Sequence, residues 1–343
     1  MSSTLFFTTF LRKIFPGILM ISFASPIGAT QTLELPTDKQ LLLNRPDPAR
    51  WFITEDGKPT ERLITLLELD NLYDPNDTLA KIVEKTQKAW IQSIQGQNNK
   101  ERTDYKDTEK QAEIRSKVEA IVQEIGLFDE RKPALSHYKY GACLGATLGG
   151  VRNNLSLLIK EWQKGIRFDS LVFFTGERYL RNEPGKDDDI QKLLHPHESP
   201  LKLKEGWTMP ENTAYKTEYD MCRLVWDQTE IPEDMKKALD GKVLFVDSPR
   251  PEGRERPGTK DCYVTWMQKY NPEPGTMLAP SHPIVWTYQL LAGENTLGDK
   301  YPLDTCAPAA TPELRKKHQE RIVSLVQDTA AKCLYELNQR KNY

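Results

Sequence analysis

From about residue 138 onward, short apolar runs alternate with segments whose apolar residues recur every three or four positions. A short run bounded by turn residues is typical of a buried strand, and the longer spacing is typical of an amphipathic helix. Strands joined by helices pair in parallel, because the helix returns the chain to the same end of the sheet. The pattern therefore predicts an α/β fold with a mostly parallel sheet flanked by helices. The expected strands are Tyr140 to Leu144, Ser170 to Thr175, Lys242 to Val246, Thr276 to Ala279 and Leu303 to Ala307.

Helices are expected between these strands and at the end of the chain. Pro312 to Asn338 is predicted to form one long helix with Thr311 as its N-cap. A polar loop of about forty residues, Glu177 to Lys216, follows the second strand, and loops of this length in compact domains are usually functional lids or insertions. The other expected helices are Val151 to Lys164, Thr217 to Thr229, Thr259 to Lys269 and Pro283 to Ala292.

The residues before this region have helical patterns instead of alternating ones. Glu61 to Asp70, Asp77 to Gln95 and Ile114 to Ile125 carry apolar residues at spacings of three and four. The polar, proline-bearing stretch from Gln31 to Thr60 predicts an extended arm on the surface. We therefore expect an arm and a helical region over residues 30–137, packed on an α/β domain over residues 138–343, since the apolar helix faces need cover.

The N-terminus has the three-part pattern of a secretory signal peptide. Arg12 and Lys13 precede the apolar residues Ile14 to Ala24, and a small-residue cleavage site ends at Ala29. A membrane-spanning helix needs about 20 apolar residues, whereas this run is shorter and contains a proline. The sequence predicts cleavage after residues 1–29, a periplasmic or secreted mature protein, and no transmembrane anchor after cleavage. An uncleaved anchor is the alternative.

Composition and motifs exclude several classes of function. The 47 basic and 49 acidic side chains nearly cancel, so no net charge attracts a nucleic acid. The five cysteines are scattered without close pairs, which excludes a cysteine zinc site and favours small buried hydrophobes, with one or two disulfides as the alternative. Neither a GxSxG nor an HExxH motif occurs. His195 and His197 do not make a metal site by themselves. The sequence indicates no metal and no particular cofactor.

Candidate site residues follow the predicted strands. The first strand leads into Gly145-Ala146-Thr147-Leu148-Gly149-Gly150, where a glycine turn and a helix N-terminus would hold an anion, or where the glycines only form a tight turn. The carboxyl ends of parallel strands share one edge, where ligands bind in open sheets, so we expect an anion-binding cleft there. The expected ligand-binding residues are Gly145, Thr147, Arg152, Thr175, Gly176, Arg178, Thr259 and Ser281, and the expected acid–base groups are Glu177, Glu218, Asp247 and His282.

Taken in order, these motifs resemble the domain-of-unknown-function family that contains the bacterial SanA, ElyC and YdcF proteins. The resemblance covers about Tyr138 to Ala307. It implies a Rossmann-like sheet, ligand binding at the strand ends and, for exported members, an envelope-related role. Two departures are that Gly176-Glu177-Arg178 replaces a glycine pair and that Gly258 replaces an asparagine. The matching positions are Leu144-Gly145, Arg152, Thr175-Gly176, Thr217-Glu218, Asp247, Gly258 to Asp261 and Ser281-His282.

Two functions remain open from the sequence. The first is an exported, envelope-associated protein that binds, or binds and transforms, an anionic small molecule or a lipid-linked sugar intermediate at the sheet edge. The second is a secreted, host-directed interaction protein that uses the α/β domain as a scaffold. Arg152, Glu177, Asp247 and His282 around one cleft would favour the first function. Arg152 is expected to be mostly exposed, so that its replacement weakens binding and leaves folding nearly intact.

Overall fold

The computed structural model describes residues 38–43, 45–91, 106–186, 188–196 and 199–340, all within one unit, Thr37–Tyr343. The predicted signal peptide, residues 1–29, lies outside the described residues, as do His197 and Glu198. Within the described ranges no helix has the length and apolar character needed to cross a membrane.

The centre of the fold is a five-stranded sheet in which every neighbouring pair of strands is parallel, as the sequence pattern predicted. The strand order is β3-β2-β1-β4-β5. Strands β2 and β3 are added on one side of β1, and β4 and β5 on its other side. This change between β1 and β4 is the topological switch point of a Rossmann-like fold. The strands are β1 His137–Leu144, β2 Arg167–Gly176, β3 Val243–Ser248, β4 Met277–Pro280 and β5 Leu303–Cys306.

Helices cover both faces of the sheet. In the described part of the chain they are α1 Asp38–Leu43, α2 Glu61–Glu68, α3 Leu79–Trp90, α4 Glu109–Glu124, α5 Leu148–Gln163, α6 Ile190–Leu194, α7 Glu218–Gln228, α8 Glu233–Ala238, α9 Thr259–Tyr270, α10 Trp286–Leu297, α11 Pro312–His318 and α12 Ile322–Gln339.

Alternation along the strands divides the apolar side chains between two cores. Cys143 and Phe173 face one side, where they pack with α5, α7 and α8. Leu144 and Phe174 face the other side, where α9, α10 and α12 lie. Successive strand residues point to opposite faces, so a sheet that is covered twice needs near-continuous apolar strands, and these strands are of that kind.

The N-terminal helices belong to the second core. Leu63 of α2, Ile82 of α3 and Val118 of α4 are buried in the same cluster as Phe174 and Leu334. The N-terminal helical region therefore packs into the second core, which covers the apolar faces of its helices.

The arm before these helices differs from the prediction. Within residues 38–60 the chain forms α1 and a 3-10 turn, Pro48–Trp51, and Ala49 and Ile53 are fully buried. The edge of the Trp51 ring packs on Trp286, with 5.2 Å between ring centroids. These partners are distant in sequence, so the polar composition of the arm did not indicate its burial.

The predicted C-terminal helix is interrupted. Residues Gln319–Arg321 form a 3-10 turn between α11 and α12. The carboxylate of Asp107 accepts hydrogen bonds from the backbone N–H groups of Val323 and Ser324, at 3.2 and 2.9 Å. A side chain from a distant segment thus caps a new helix start.

All five cysteines are buried and none forms a disulfide. Burial raises the pKa of their thiols. The expectation that they act as small buried hydrophobes is confirmed, and the alternative with disulfides is wrong.

Candidate functional site

The parallel sheet brings the predicted strand-end residues to one edge. Thr175 pairs in register with Asp247, and Gly176 with Ser248. The glycine turn after β1 and Ser281 after β4 lie on either side of the switch point, because β1 and β4 are adjacent. In sheets of this type the crevice at the switch point is where ligands bind.

The turn between β1 and α5 is shaped by two carboxylates. At Gly145 a Cβ atom would overlap the carboxylate of Glu218, so any other residue there would require this carboxylate to move. One oxygen of Asp188 accepts a hydrogen bond from the backbone N–H of Leu148 at 3.2 Å, at the first residue of α5. Thr147, the N-cap residue, makes no side-chain capping bond. The cap of α5 is therefore supplied by Asp188, a residue forty positions later in the chain.

Arg178 joins the two carboxylates. It is 6% exposed; its Nη1 donates to Asp188 Oδ2 at 2.8 Å and its Nε donates to Glu218 Oε1 at 3.1 Å. Its Nη2 donates to the carbonyl oxygen of Ala146 at 2.8 Å. Arg178 thus reaches the glycine turn, where its donors bond protein groups. Asp188 was not predicted, because nothing in the sequence distinguishes it from the other acidic residues of the loop.

Arg152 does not lie where the sequence analysis placed it. It is 4% exposed and donates to the carbonyl oxygens of Lys192 and Leu193 at 3.0 and 3.3 Å. It also donates to Gln228 Oε1 at 2.6 Å. Burial lowers the pKa of its guanidinium. The expectation of an exposed arginine is wrong, because the loop after β2 folds over its head group.

Two polar atoms beside this cluster have no hydrogen-bond partner. They are Arg152 Nε and the hydroxyl of Tyr215, and both residues are more than nine-tenths buried. The pKa of the Tyr215 hydroxyl is raised, first by burial and then by the charge of Asp188. A buried donor without an acceptor is uncommon in folded proteins.

The loop from Glu177 to Lys216 is held by reciprocal caps. Asp188 from the loop caps the start of α5, and Arg152 from the first turns of α5 caps the last carbonyls of α6. The loop also contains α6 itself, which the sequence analysis did not expect. The loop lies against the first turns of α5, where Asp188 and Arg152 hold it by these hydrogen bonds.

Glu177, which is half-buried, and Asp247, which is exposed, form an acidic part of the edge. Glu177 Oε2 accepts a hydrogen bond from the backbone N–H of Arg250 at 3.2 Å. The pKa of Asp247 is raised, because neighbouring protein atoms desolvate its carboxylate and the charges of Glu177 and Asp220 oppose ionisation. A carboxyl group with a raised pKa beside another carboxylate is a common arrangement for proton transfer.

Several predicted ligand-binding residues serve the fold. Thr175 is fully buried and donates to the carbonyl oxygen of Val246 at 2.6 Å. Gly176 lies against the ring of Pro257. Thr259 is the first residue of α9, and the N-cap is Gly258, whose N–H donates to Asp261 at 2.6 Å.

His282 lies in a row of three side chains with His318 and Arg321, two residues that were not predicted as part of a site. Its Nε2 is 3.2 Å from Nε2 of His318, and Arg321 donates to Nδ1 of His318 from Nε and Nη2 at 3.0 and 2.7 Å. Burial, Arg321 and Lys317 lower the pKa of His318 to about 4. The neighbouring Ser281 is buried and its hydroxyl donates to Gln289. In the described ranges no three His, Cys, Asp or Glu side chains converge as metal ligands.

The four residues expected around one cleft are thus divided. Glu177 and Asp247 are close enough for their charges to interact. Arg152 lies under the loop after β2, and His282 pairs with His318 after β4. The cluster that the structure does bring together is Arg178, Glu218 and Asp188 at the start of α5.

No protein-family model, curated protein or solved structure matches this chain. What the edge binds is therefore inferred from its geometry.

A separate groove lies away from the sheet edge, along the outer side of α5. Its volume is about 690 Å³, and Trp226, Ile159 and Ile231 contribute apolar surface. Lys160 and Lys236 line it and form no ion pair within the described part of the chain.

Proposed function

We propose that this protein binds an anionic small molecule, or an anionic lipid-linked sugar intermediate, at the carboxyl edge of its parallel sheet. One observation supports this proposal: the carboxylate of Asp188 already lies on the N-terminus of α5 and on Arg178, beside the switch point. Helix N-terminal N–H groups and a guanidinium favour anions, and charge-assisted hydrogen bonds of this kind are strong. The two groups that hold this carboxylate, the Leu148 N–H and Arg178 Nη1, are donors of the kind that bind anions.

The proposed setting is outside the cytoplasm, in the periplasm or secreted. It is supported by the signal-peptide pattern of residues 1–29 and by the resemblance to the SanA, ElyC and YdcF family. Buried thiols with raised pKa values react slowly, so the five free cysteines suit an oxidising compartment without forming disulfides.

Proton transfer to or from a bound ligand would fall to Glu177 and Asp247. Asp247 has the raised pKa of an acid that keeps its proton longer, and Glu177 is its neighbour. Glu218 is engaged by Arg178, and Nε2 of His282 faces His318, so neither is free for this role in the described state.

Gly149 provides the test of this proposal. It is the second residue of α5, it is exposed, and a Cβ added there meets no atom within 4 Å. Gly149→Ala and Gly149→Asp should both raise the melting temperature, because replacing a helical glycine stabilises by about 0.5–1 kcal/mol. Only Gly149→Asp places a negative charge at the helix N-terminus, and it should weaken binding of an anion by about tenfold or more.

The measurement is a thermal-shift and calorimetric titration of the mature protein with phosphate, sugar phosphates and cell-wall precursors. Gly149→Ala is the matched control, since it changes helix stability without adding charge. Equal ligand affinity in the alanine and aspartate variants would show that the edge beside α5 is not the binding site.

A second candidate function, a secreted interaction protein, is favoured by the groove along α5. Its apolar residues, and Lys160 and Lys236, which form no ion pair with any residue that the structure describes, suit an acidic partner with apolar side chains. Lys160→Glu combined with Lys236→Glu separates the two functions, because it should abolish partner binding and leave the Gly149-dependent ligand affinity unchanged.

A further inference from the structure

The contact between His282 and His318 brings together two ring nitrogens that both carry protons. His282 Nδ1 accepts a hydrogen bond from the backbone N–H of Ile284 at 3.3 Å, and His318 Nδ1 accepts from Nε and Nη2 of Arg321 at 3.0 and 2.7 Å. A backbone amide and a guanidinium only donate, and a neutral imidazole carries one proton. In each neutral ring that proton is therefore on Nε2, and the two Nε2 atoms lie 3.2 Å apart.

Two N–H groups that meet at this distance need an acceptor that neither ring supplies. His318 is 7% exposed, and a buried N–H group that faces another donor is costly. The ring centroids are 4.9 Å apart, which is closer than two rings in line with the contact would be, so at least one N–H bond is inclined to the line between the nitrogens. An oxygen atom beside that line, about 2.8 Å from each nitrogen, accepts from both rings.

The charges around this pair favour a negative acceptor. Arg321 bonds the His318 ring directly, and the positive charges of Arg321 and Lys317 both act on it. Lys317 is exposed and His282 is half-buried, so this end of β4 reaches the surface. Strand β4 lies beside β1 at the switch point, where ligands bind in sheets of this type. An anion at this place would meet two N–H donors and a positive potential.

We propose that the Nε2–H groups of His282 and His318 together bind one oxygen of an oxyanion, a carboxylate or a phosphate, at the end of β4. This inference rests on the proposed function, that the edge binds an anion, and it names the residues that hold the anion on the β4 side of the switch point. Carboxylate and phosphate present the same acceptor to the two rings, and hydrogen bonds to a charged oxygen are stronger than those to a neutral one.

A metal ion is the opposite kind of occupant, because two nitrogens bound to one tetrahedral zinc lie about 3.3 Å apart. A metal binds the lone pair of Nε2, so the ring proton moves to Nδ1. In His318 that proton would face the guanidinium of Arg321, donor against donor. The hydrogen bonds to the two Nδ1 atoms therefore favour an anion over a cation.

The test uses two replacements of His282 that mimic different ring nitrogens. The amide of asparagine reaches the position of Nδ1, so His282→Asn keeps an acceptor for Ile284 and removes the Nε2 donor. The amide of glutamine reaches the position of Nε2, so His282→Gln keeps a donor there. In calorimetric titrations with inorganic phosphate and with acetate, His282→Asn should bind about tenfold or more weakly than wild type, and His282→Gln should recover most of that loss.

His137→Asn is the control for loss of a histidine. His137 is exposed and is the first residue of β1, at the opposite edge of the sheet, so this variant should bind both anions as wild type does.

NMR of wild-type protein with isotope-labelled histidine covers the case in which a variant does not fold. Imidazole nitrogen shifts report which ring nitrogen carries the proton, and in both rings it should be Nε2. Saturating phosphate or acetate should move both Nε2–H signals downfield, because the protons gain an anionic acceptor. A proton on Nδ1 of either ring, or Nε2–H signals that stay in place while the protein binds the anion, would overturn the inference.

The possible results separate this inference from the proposed function. If wild type binds neither phosphate nor acetate, both fail. If Gly149→Asp weakens binding and His282→Asn does not, the function stands and the histidine pair is not the contact. If His282→Asn weakens binding and Gly149→Asp binds as Gly149→Ala does, the inference stands and the site beside α5 fails. Zinc binding that is lost in His282→Asn, without a change in anion affinity, would make the pair a metal site and overturn the inference.

Discussion

Buried arginines organise the polar interior at the residue scale. Arg178 lies between two carboxylates, whereas Arg152 has only carbonyl and amide oxygens as acceptors. A buried charge without a direct counter-ion is costly unless its hydrogen bonds are made. The contacts of Arg152 with α6 therefore stabilise the fold, and its role is to position the loop.

Arg152→Ala should lower the free energy of unfolding by about 2–4 kcal/mol, because it leaves buried acceptors unpaired and opens a cavity. Arg152→Met should cost less, since it fills the space and removes the buried charge. Urea denaturation measures both.

The control is Arg254→Ala, which removes an exposed ion pair with Asp261 and should change stability by about 0–1 kcal/mol. If Arg152→Ala were as mild as this control, Arg152 would not anchor the loop.

At the scale of elements, the break between α11 and α12 brings His318 to the end of β4. Arg321 donates to Nδ1 of His318, so the neutral His318 ring carries its proton on Nε2, which lies 3.2 Å from Nε2 of His282. A positive charge on His318 would face Arg321 and Lys317 in a buried setting. The row formed by His282, His318 and Arg321 therefore favours the neutral form of His318. It also holds the end of α11 beside the end of β4.

This arrangement predicts a loss of stability in mild acid. The pKa of His318 is about 4 in the folded protein against an ordinary value of 6.5. The unfolded chain therefore binds the proton first, so stability falls as the pH drops from about 6.5 to about 4, by about 3 kcal/mol in total. Above pH 6.5 the ring contributes no pH dependence.

His318→Gln should remove this component. The measurement is the difference in unfolding free energy between the variant and wild type across pH 4–7, in which the titration of other groups cancels. A difference that does not vary with pH would show that His318 is protonated as readily in the folded state.

For the whole molecule, the decisive feature is that two cores share one sheet. The core that includes the N-terminal helices also contains Cys262 and Cys333, and the opposite core contains Cys143, Cys222 and Cys306. Because α3 and α4 pack on α12 and α12 packs on α10, the helical region and the sheet should unfold together.

The buried cysteines report on this cooperativity. A thiol reagent such as DTNB should label the native protein only as fast as it unfolds, with the same rate at all five cysteines. Denatured protein should label five thiols immediately. Peptide mapping of the labelled sites makes the measurement. Early labelling of Cys333 alone would mean that the N-terminal helices detach while the sheet stays folded.

What the sequence determined by itself was the set of elements and their class. Periodicity located all five strands and the longer helices between them, because apolar spacing follows directly from which side of an element is buried. The short helices α6 and α8 were not predicted. It also placed the strand ends, and hence the edge where Gly145, Gly176, Asp247 and Ser281 meet. The resemblance to the SanA, ElyC and YdcF family, the export signal and the function stay predictions.

Only the tertiary structure decided what each polar side chain touches. Arg152, Arg178 and His282 have side-chain partners up to 76 positions away, and Asp188, His318 and Arg321 were not predicted as site residues. The local spacing of residues does not indicate such pairs. A side chain that caps a distant helix can have the same sequence neighbours as a side chain that faces water. The same reason explains the buried arm, the break capped by Asp107 and the loop pinned by Asp188. Periodicity is a property of one element, whereas capping, burial of charge and access to the edge are properties of elements in contact.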